Sequence, residues 1–205
     1  MKKILVILFI LLIIIGAIVL FIYIISKKNG VQKVNNTEYY PVEIARKAAE
    51  DNLSVFESWR GVSIEGTFTM YDTQYTPSAY LFTVKDYYGK AGYLVISATN
   101  KGGPLIESSK SPDNPQINLV NLIAQVAQET RHVPADLKSQ LIYLGTKDYL
   151  AKIEIREGSD LAIKYYKLNS AGNFLLTDDE IKERYSFYMS MMDKESDKNW
   201  EKYLK

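Results

Sequence analysis

An α+β domain behind an N-terminal transmembrane helix is the architecture this sequence predicts, on three observations. Residues 4–25 form an almost unbroken apolar run. Beyond them, apolar residues recur at helical spacing in three separate stretches. Between those stretches they alternate with polar residues at strand spacing, the pattern of a sheet with helices packed on it.

The first element is the run Ile4 to Ile25, built of Ile, Leu, Val and Phe with Gly16, Ala17 and Tyr23 as the only interruptions. About 20 such residues cross the ~30 Å hydrocarbon core of a bilayer as a helix. A cleaved signal would have a shorter apolar core and a small-x-small site, whereas Tyr23-Ile24-Ile25-Ser26-Lys27 has no such site. Residues 1–26 are therefore expected to be an uncleaved single-pass anchor in the cell membrane. Lys2 and Lys3 stand against Lys27, Lys28 and Lys33, so the charge bias is close to even. The very short N-terminal tail favours a signal-anchor with the C-terminal domain outside the cell.

Residues 27–38 are polar, Asn-rich and aperiodic, a tether. The domain, residues 39–205, then opens on a helix from Pro41 to Trp59 with Val42, Ala45, Ala48, Ala49, Leu53 and Phe56 on one stripe. Val62, Ile64, Gly66, Phe68 and Met70 alternate with polar residues as a first strand. Ala79 to Lys85 is a second strand, residues 86–90 a turn with Gly89 for positive φ, and Ala91 to Ala98 a third strand apolar enough to be central. A turn at residues 101–104 leads into a short strand, Leu105 to Ser109. After Pro115 a second helix shows Leu119, Leu122, Ile123, Val126 and Ala127, with Pro134 beyond its end. Gln140 to Gly145, Tyr149 to Arg156 and Leu161 to Leu168 read as strands. Thr177-Asp178-Asp179-Glu180 is a capping box starting a last helix, with Ile181, Tyr185, Tyr188 and Met192 as its stripe and a charged, fraying end from Asp193 to Lys205.

Composition narrows the chemistry. There is no cysteine, which removes disulfides, thiolate catalysis and Cys-ligated metals. Four of the 25 basic residues flank the apolar run, so against 24 acidic residues the rest is mildly acidic and a nucleic-acid partner is not expected. His132, the single histidine, sits beside Arg131 at a predicted helix end, with no Gly-x-Ser-x-Gly elbow in the chain. Asp178 and Asp179 suit the helix N-terminus they occupy better than a paired-carboxylate site. No phosphate-cradling glycine loop and no metal-ligand spacing is present. Neither a cofactor nor an enzymatic activity is expected. Phe187, Met189, Met191, Met192 and Trp200 form a cluster read chiefly as core, with a partner-binding helix face as the alternative.

Ala79-Tyr80-Leu81-Phe82-Thr83-Val84, then Gly92-Tyr93-Leu94-Val95-Ile96-Ser97-Ala98, then Pro104-Leu105-Ile106-Glu107-Ser108-Ser109 form a distinctive series after the helix from Val42 to Trp59. It resembles the propeptide domain of streptopain-type cysteine peptidases. Leu141-Ile142-Tyr143-Leu144-Gly145 and Tyr149 are similar to a segment that follows this domain in bacterial proteins carrying a papain-like peptidase of the bacteriocin-processing type. The likeness spans residues 40–155. Lys101-Gly102-Gly103 departs from the charged turn of the family, and no peptidase with a Cys-His pair accompanies the domain here. The resemblance implies a free-standing domain that inhibits or chaperones a cysteine peptidase.

The expectation is thus a membrane-anchored, non-catalytic binding domain with a protein partner, a cysteine peptidase on the strength of the resemblance. The alternative is an accessory or sensor subunit of a membrane complex. Propeptide-type occlusion needs an exposed loop on a rigid sheet. The candidates are Tyr87, Tyr88, Gly89 and Lys90 in one turn and Lys101, Gly102, Gly103 and Pro104 in the other.

Overall fold

Pro41 starts the first helix because its carbonyl, with no strand partner, accepts from Ile44 N at 3.1 Å and Ala45 N at 3.2 Å. In the computed structural model, which describes residues 32–34, 37–55, 59–89, 91–101, 103–169, 172–192 and 200–204, this helix, α1, spans Val42–Val55. It buries Ala45, Ala48, Ala49 and Leu53, four members of the expected stripe. Phe56 lies outside the described residues, and the predicted end at Trp59 falls in a tight turn rather than in the helix. Helix α2 spans Pro115–Thr130, with proline in its first turn and the Asn114 side chain accepting from Ile117 N at 3.1 Å. It ends where Arg131 turns left-handed (φ 56°) and His132 N donates back to Ala127 O at 2.9 Å. Helix α3, Asp178–Met192, opens on the expected capping box, since Thr177 N donates to Glu180 Oε2 at 2.8 Å and Glu180 N to Thr177 Oγ1 at 3.4 Å.

The strands are β1 (Gln32–Val34), β2 (Thr37–Tyr39), β3 (Ser63–Tyr71), β4 (Pro77–Lys85), β5 (Ala91–Ser97), β6 (Leu105–Ser109), β7 (Lys138–Tyr143), β8 (Tyr149–Glu157), β9 (Asp160–Lys167) and β10 (Phe174–Leu176). A short ribbon pairs β1 with β2, and the other eight form one sheet in the order β10-β9-β8-β7-β3-β4-β5-β6. Two four-stranded antiparallel meanders are joined through β3 and β7, which run parallel with Tyr71 opposite Ile142. The fold is α+β as expected, but its sheet is mixed. A parallel join needs a crossover, and α2 supplies it between the meanders. Strand β5 is an interior strand apolar on both faces, next to the edge strand β6 rather than at the middle of the sheet.

The core has two sides. Tyr93 and Val95 point to the side covered by α2 through Leu119, Leu122, Val126 and Ala127, where Leu81, Leu141, Tyr149 and Ile153 join them. On the opposite side, Leu94 and Ile96 pack with Tyr80, Phe82 and the alanines of α1. Helix α3 covers that side of the second meander, with Tyr188 packed on Ile142, Leu144 and Leu150. Strand β3 corrects a simple reading of its alternation. A bulge between Ile64 and Gly66 puts Ile64 opposite Val84 on the α1 side, but Phe68 opposite Leu81 on the α2 side. The even-numbered apolar residues of this strand therefore serve two different cores.

Lys33–Lys205 forms one compact unit, and it contains the eight-stranded sheet and the three α-helices found among the described residues. Among the described residues no helix is long and apolar enough to cross a membrane. The run 4–25, on which the anchor expectation rests, lies outside the described residues. The expected charged, fraying end is partly a packed one: Trp200 and Tyr203 belong to the core beside α1, and Lys202 Nζ reaches Asp51 Oδ2 at 2.7 Å.

Candidate interaction surface

The β4–β5 hairpin places two aromatic side chains at its tip. Strands β4 and β5 pair without irregularity from Ala79–Ser97 to Lys85–Ala91, and the chain reverses through Asp86 to Gly89, whose N donates to Asp86 O at 3.0 Å. Gly89 takes φ 79°, the conformation its lack of a Cβ allows. Tyr87 and Tyr88 are left 92% and 84% exposed, their rings edge to face with centroids 5.5 Å apart. Lys90 lies outside the described residues.

The base of this hairpin is tightly packed. Trp59 lies so close over Gly92 that a Cβ there would come within 2.8 and 2.9 Å of the indole carbons and 2.6 Å of Ser109 O. Only glycine permits that approach. Lys110 Nζ stands 6.0 Å from the Trp59 ring centroid. Trp59, exposed Tyr87 and Tyr88, and a lysine thus belong to one end of the sheet.

The second predicted loop is elsewhere. Residues 101–104 follow β5 at its other end, so the seven-residue strand separates the two loops by ~20 Å. The structure does not bring the two candidate loops together. Lys101 and Gly103 are half-buried, Pro104 is buried, and Gly102 lies outside the described residues. Pro104 O accepts from Ser97 N at 2.9 Å, and Thr99 Oγ1 accepts from Lys101 N at 3.4 Å, which ties this loop to the strand before it. Of the two, the Tyr87–Tyr88 tip is the more exposed.

A polar cluster that sequence reasoning missed holds the two meanders together. Glu107, 7% exposed on β6, accepts from Tyr93 Oη at 2.7 Å through Oε1. Its Oε2 accepts from Tyr149 Oη at 2.9 Å and from Lys147 N at 3.1 Å. Burial first, and then the Glu107 charge, push the Tyr93 and Tyr149 hydroxyls well above the ordinary phenol range and keep both as neutral donors. Tyr93 and Glu107 could have been paired from adjacent strands, but Tyr149 lies 42 residues on and carries no local signal. The set is satisfied within itself and clasps the two meanders together.

His132 is a helix-end residue, as expected: Nδ1 lies 2.9 Å from Thr130 O and Nε2 3.3 Å from Arg156 O. Among the described residues no group of three or more His, Cys, Asp or Glu side chains is placed to hold a metal ion. Phe187 is 65% and Met189 38% exposed on α3, whereas Trp200 is buried. No family model, no curated protein and no solved structure matches this chain.

Proposed function

We propose that this protein is a membrane-anchored, non-catalytic binding domain that engages a cysteine peptidase as a propeptide-like inhibitor or chaperone. The observation that carries the reading is the Tyr87–Tyr88 pair, almost fully exposed on a hairpin whose strands are otherwise buried. Tyrosine is enriched among the residues that dominate binding energy, and a hairpin with a tightly packed base spares much of the ordering cost of a loop. Support for the partner class comes from the sequence resemblance and from the uninterrupted order α1-β3-β4-β5-β6 over the segment that carries it. Occlusion needs no reactive group: a hairpin inserted in a cleft displaces substrate, and even a ~1 Å shift of catalytic groups can cost ~10²-fold in rate. The apolar run 4–25 supports attachment to the cell membrane as a single-pass anchor, with the domain outside.

The test is a titration of the full chain in detergent against surface and secreted cysteine peptidases of the same organism, read with a fluorogenic substrate. Inhibition that Tyr87→Ser/Tyr88→Ser abolishes, at an unchanged melting temperature, is the expected result. Unchanged peptidase activity at micromolar protein would overturn the inhibitor reading and leave the accessory-subunit alternative in front.

A further inference from the structure

Helix α3 covers only part of its side of the second meander. Ile181, Tyr185 and Tyr188 belong to its inward stripe, and the sheet residues packed there are Ile142, Leu150, Tyr165 and Leu176, with Leu144 just past the end of β7. The same sheet face continues beyond them in registered rows. Gln140, Lys152 and Tyr165 lie side by side, then Lys138, Glu154 and Ile163, then Arg156 and Leu161. In the last two rows Leu161 and Ile163 remain 48% and 46% exposed, and Lys138 and Arg156 are exposed as well.

The charges in these rows do not balance. Glu154 is the one carboxylate, and Lys152, its side chain 3% exposed, pairs with it at 2.5 Å. Lys138 and Arg156 stand on the same face, and among the described residues neither forms an ion pair of its own. Their field, after the Lys152 hydrogen bond, helps hold the Glu154 carboxyl below its usual range. Glu157 and Asp160 pair with each other at the hairpin end, and the alternation of side chains turns them to the other face. A surplus of positive charge therefore lies beside two exposed aliphatic side chains.

Tyr75 completes the site. It adopts φ 65°, a conformation a bulky side chain rarely takes. The turn imposes it: Asp72 Oδ1 accepts from Gln74 N at 2.8 Å and Thr76 N at 2.9 Å, while Tyr75 N donates to Asp72 O at 3.2 Å. The result places the Tyr75 ring centroid 4.2 Å from Lys152 Nζ, and a cavity of about 290 Å³ opens between Tyr71, Tyr75, Lys138, Gln140, Lys152 and Glu154.

We propose that this open face docks an acidic, extended segment of a partner protein, whose carboxylates meet Lys138 and Arg156 and whose apolar side chains lie on Leu161 and Ile163. Glu154, the partner of Lys138 in register, is two residues from Arg156 along β8, a rise of ~7 Å. Lys138 stands one strand (~5 Å) to the side, so the two cations are ~8 Å apart on the diagonal, close to the ~7 Å between alternate side chains of an extended segment. One phosphate group is too small to bridge both cations, and the mildly acidic remainder of the chain disfavours a nucleic acid. This surface is built from the second meander and the β3–β4 turn, and does not include the Tyr87–Tyr88 tip.

The experiment uses the full chain in neutral detergent micelles and a synthetic octapeptide with Glu at alternate positions and Leu or Thr between them. The control is the same peptide with Gln for Glu, and binding is measured by calorimetry and by shifts of the Ile163 methyl resonances. The Glu peptide is expected to bind at least ~10-fold tighter, with an affinity that falls as salt is raised. Lys138→Glu/Arg156→Glu should remove that preference, Lys138→Gln/Arg156→Gln should reduce it, and Leu161→Ser/Ile163→Ser should weaken both peptides. Tyr87→Ser/Tyr88→Ser should leave binding unchanged, which separates this site from the proposed peptidase contact. Equal binding of the two peptides, no effect of charge reversal, or displacement of the peptide by inorganic triphosphate or phosphatidylserine vesicles at equal charge concentration would overturn the proposal.

Discussion

The Glu107 carboxylate accepts a hydrogen bond from the Tyr149 hydroxyl at 2.9 Å, although β6 and β8, which carry them, are separated by β5, β4, β3 and β7. In a flat sheet five strand spacings would hold them ~24 Å apart. The sheet is therefore strongly curled, with α2 packed against the side on which Glu107 and Tyr149 meet. Curling brings β6, the free edge of the first meander, onto the start of β8 in the second, and the buried carboxylate is what they share.

Removing one partner of this clasp should be costly. Glu107→Ala leaves two buried hydroxyls and the Lys147 N–H without their acceptor, and the expected loss is ~3–5 kcal/mol. Tyr149→Phe removes a single donor and should cost ~1–3 kcal/mol. Urea unfolding of both variants and of the double variant checks this. The double loss should fall short of the sum of the single ones, because each change removes the same bond. Strict additivity would mean that the clasp contributes nothing.

Alkaline pH should unfold the domain before the buried phenols ionise. Burial raises Tyr40 and Tyr80 to about 12 from the ordinary 10, and pushes Tyr93, Tyr143, Tyr149 and Tyr188 higher still. A raised folded-state pKa means the unfolded chain loses its proton first. Its contribution is complete below pH 10 and declines as pH rises toward the folded value. Each group in that window costs ~1.4 kcal/mol per pH unit, so several together exhaust an ordinary folding stability. The exposed tyrosines ionise without unfolding, but the part of the 295 nm absorbance rise that comes from the buried ones should coincide with the loss of circular dichroism, in one cooperative step between pH 10 and 12. Tyrosinate absorbance rising to completion with the fold intact would contradict the burial described here.

Strand β5 can be tested on both faces. Val95 and Ile96 are each fully buried, in the α2 and α1 cores respectively. Val95→Asp or Ile96→Asp places a carboxylate without a partner in a packed interior, which should unfold the domain outright. Ile96→Val should cost only ~1 kcal/mol and retain the fold. Thermal melts followed by circular dichroism distinguish these outcomes.

Trp200 is 1% exposed, with its ring centroid 4.4 Å from that of Tyr40 and its Nε1 without a hydrogen-bond partner among the described residues. Trp200→Ala should cost ~3–5 kcal/mol in urea unfolding. Trp200→Phe should cost clearly less, since losing ring volume is offset by removing an unsatisfied buried donor. If truncation after residue 199 leaves stability unchanged, the C-terminal turn is not part of the core.

Local pattern alone determined the elements. The capping box at Thr177 and Glu180, the proline at the start of α2, the alanine stripe of α1 and the apolar run of β5 each declare an element within a few residues, because helix caps and side-chain periods are short-range physics. The three-residue strands β1, β2 and β10 were not legible, since each is too short to show a period, and β1 with most of β2 falls in the stretch 27–38 read as a tether. Tertiary structure decided everything that joins distant residues: the parallel pairing of Tyr71 with Ile142, the bulge that sends Ile64 and Phe68 to different cores, and the Glu107 clasp. It also decided that Tyr87–Tyr88 stands exposed while Lys101, Gly103 and Pro104 are partly or fully buried. The two turns on either side of β5 look alike in the sequence as polar turns, and only the packing around each sets which of them is exposed. The meeting of Glu107 with Tyr149 has no local signal at all, because it follows from the curl of a whole sheet.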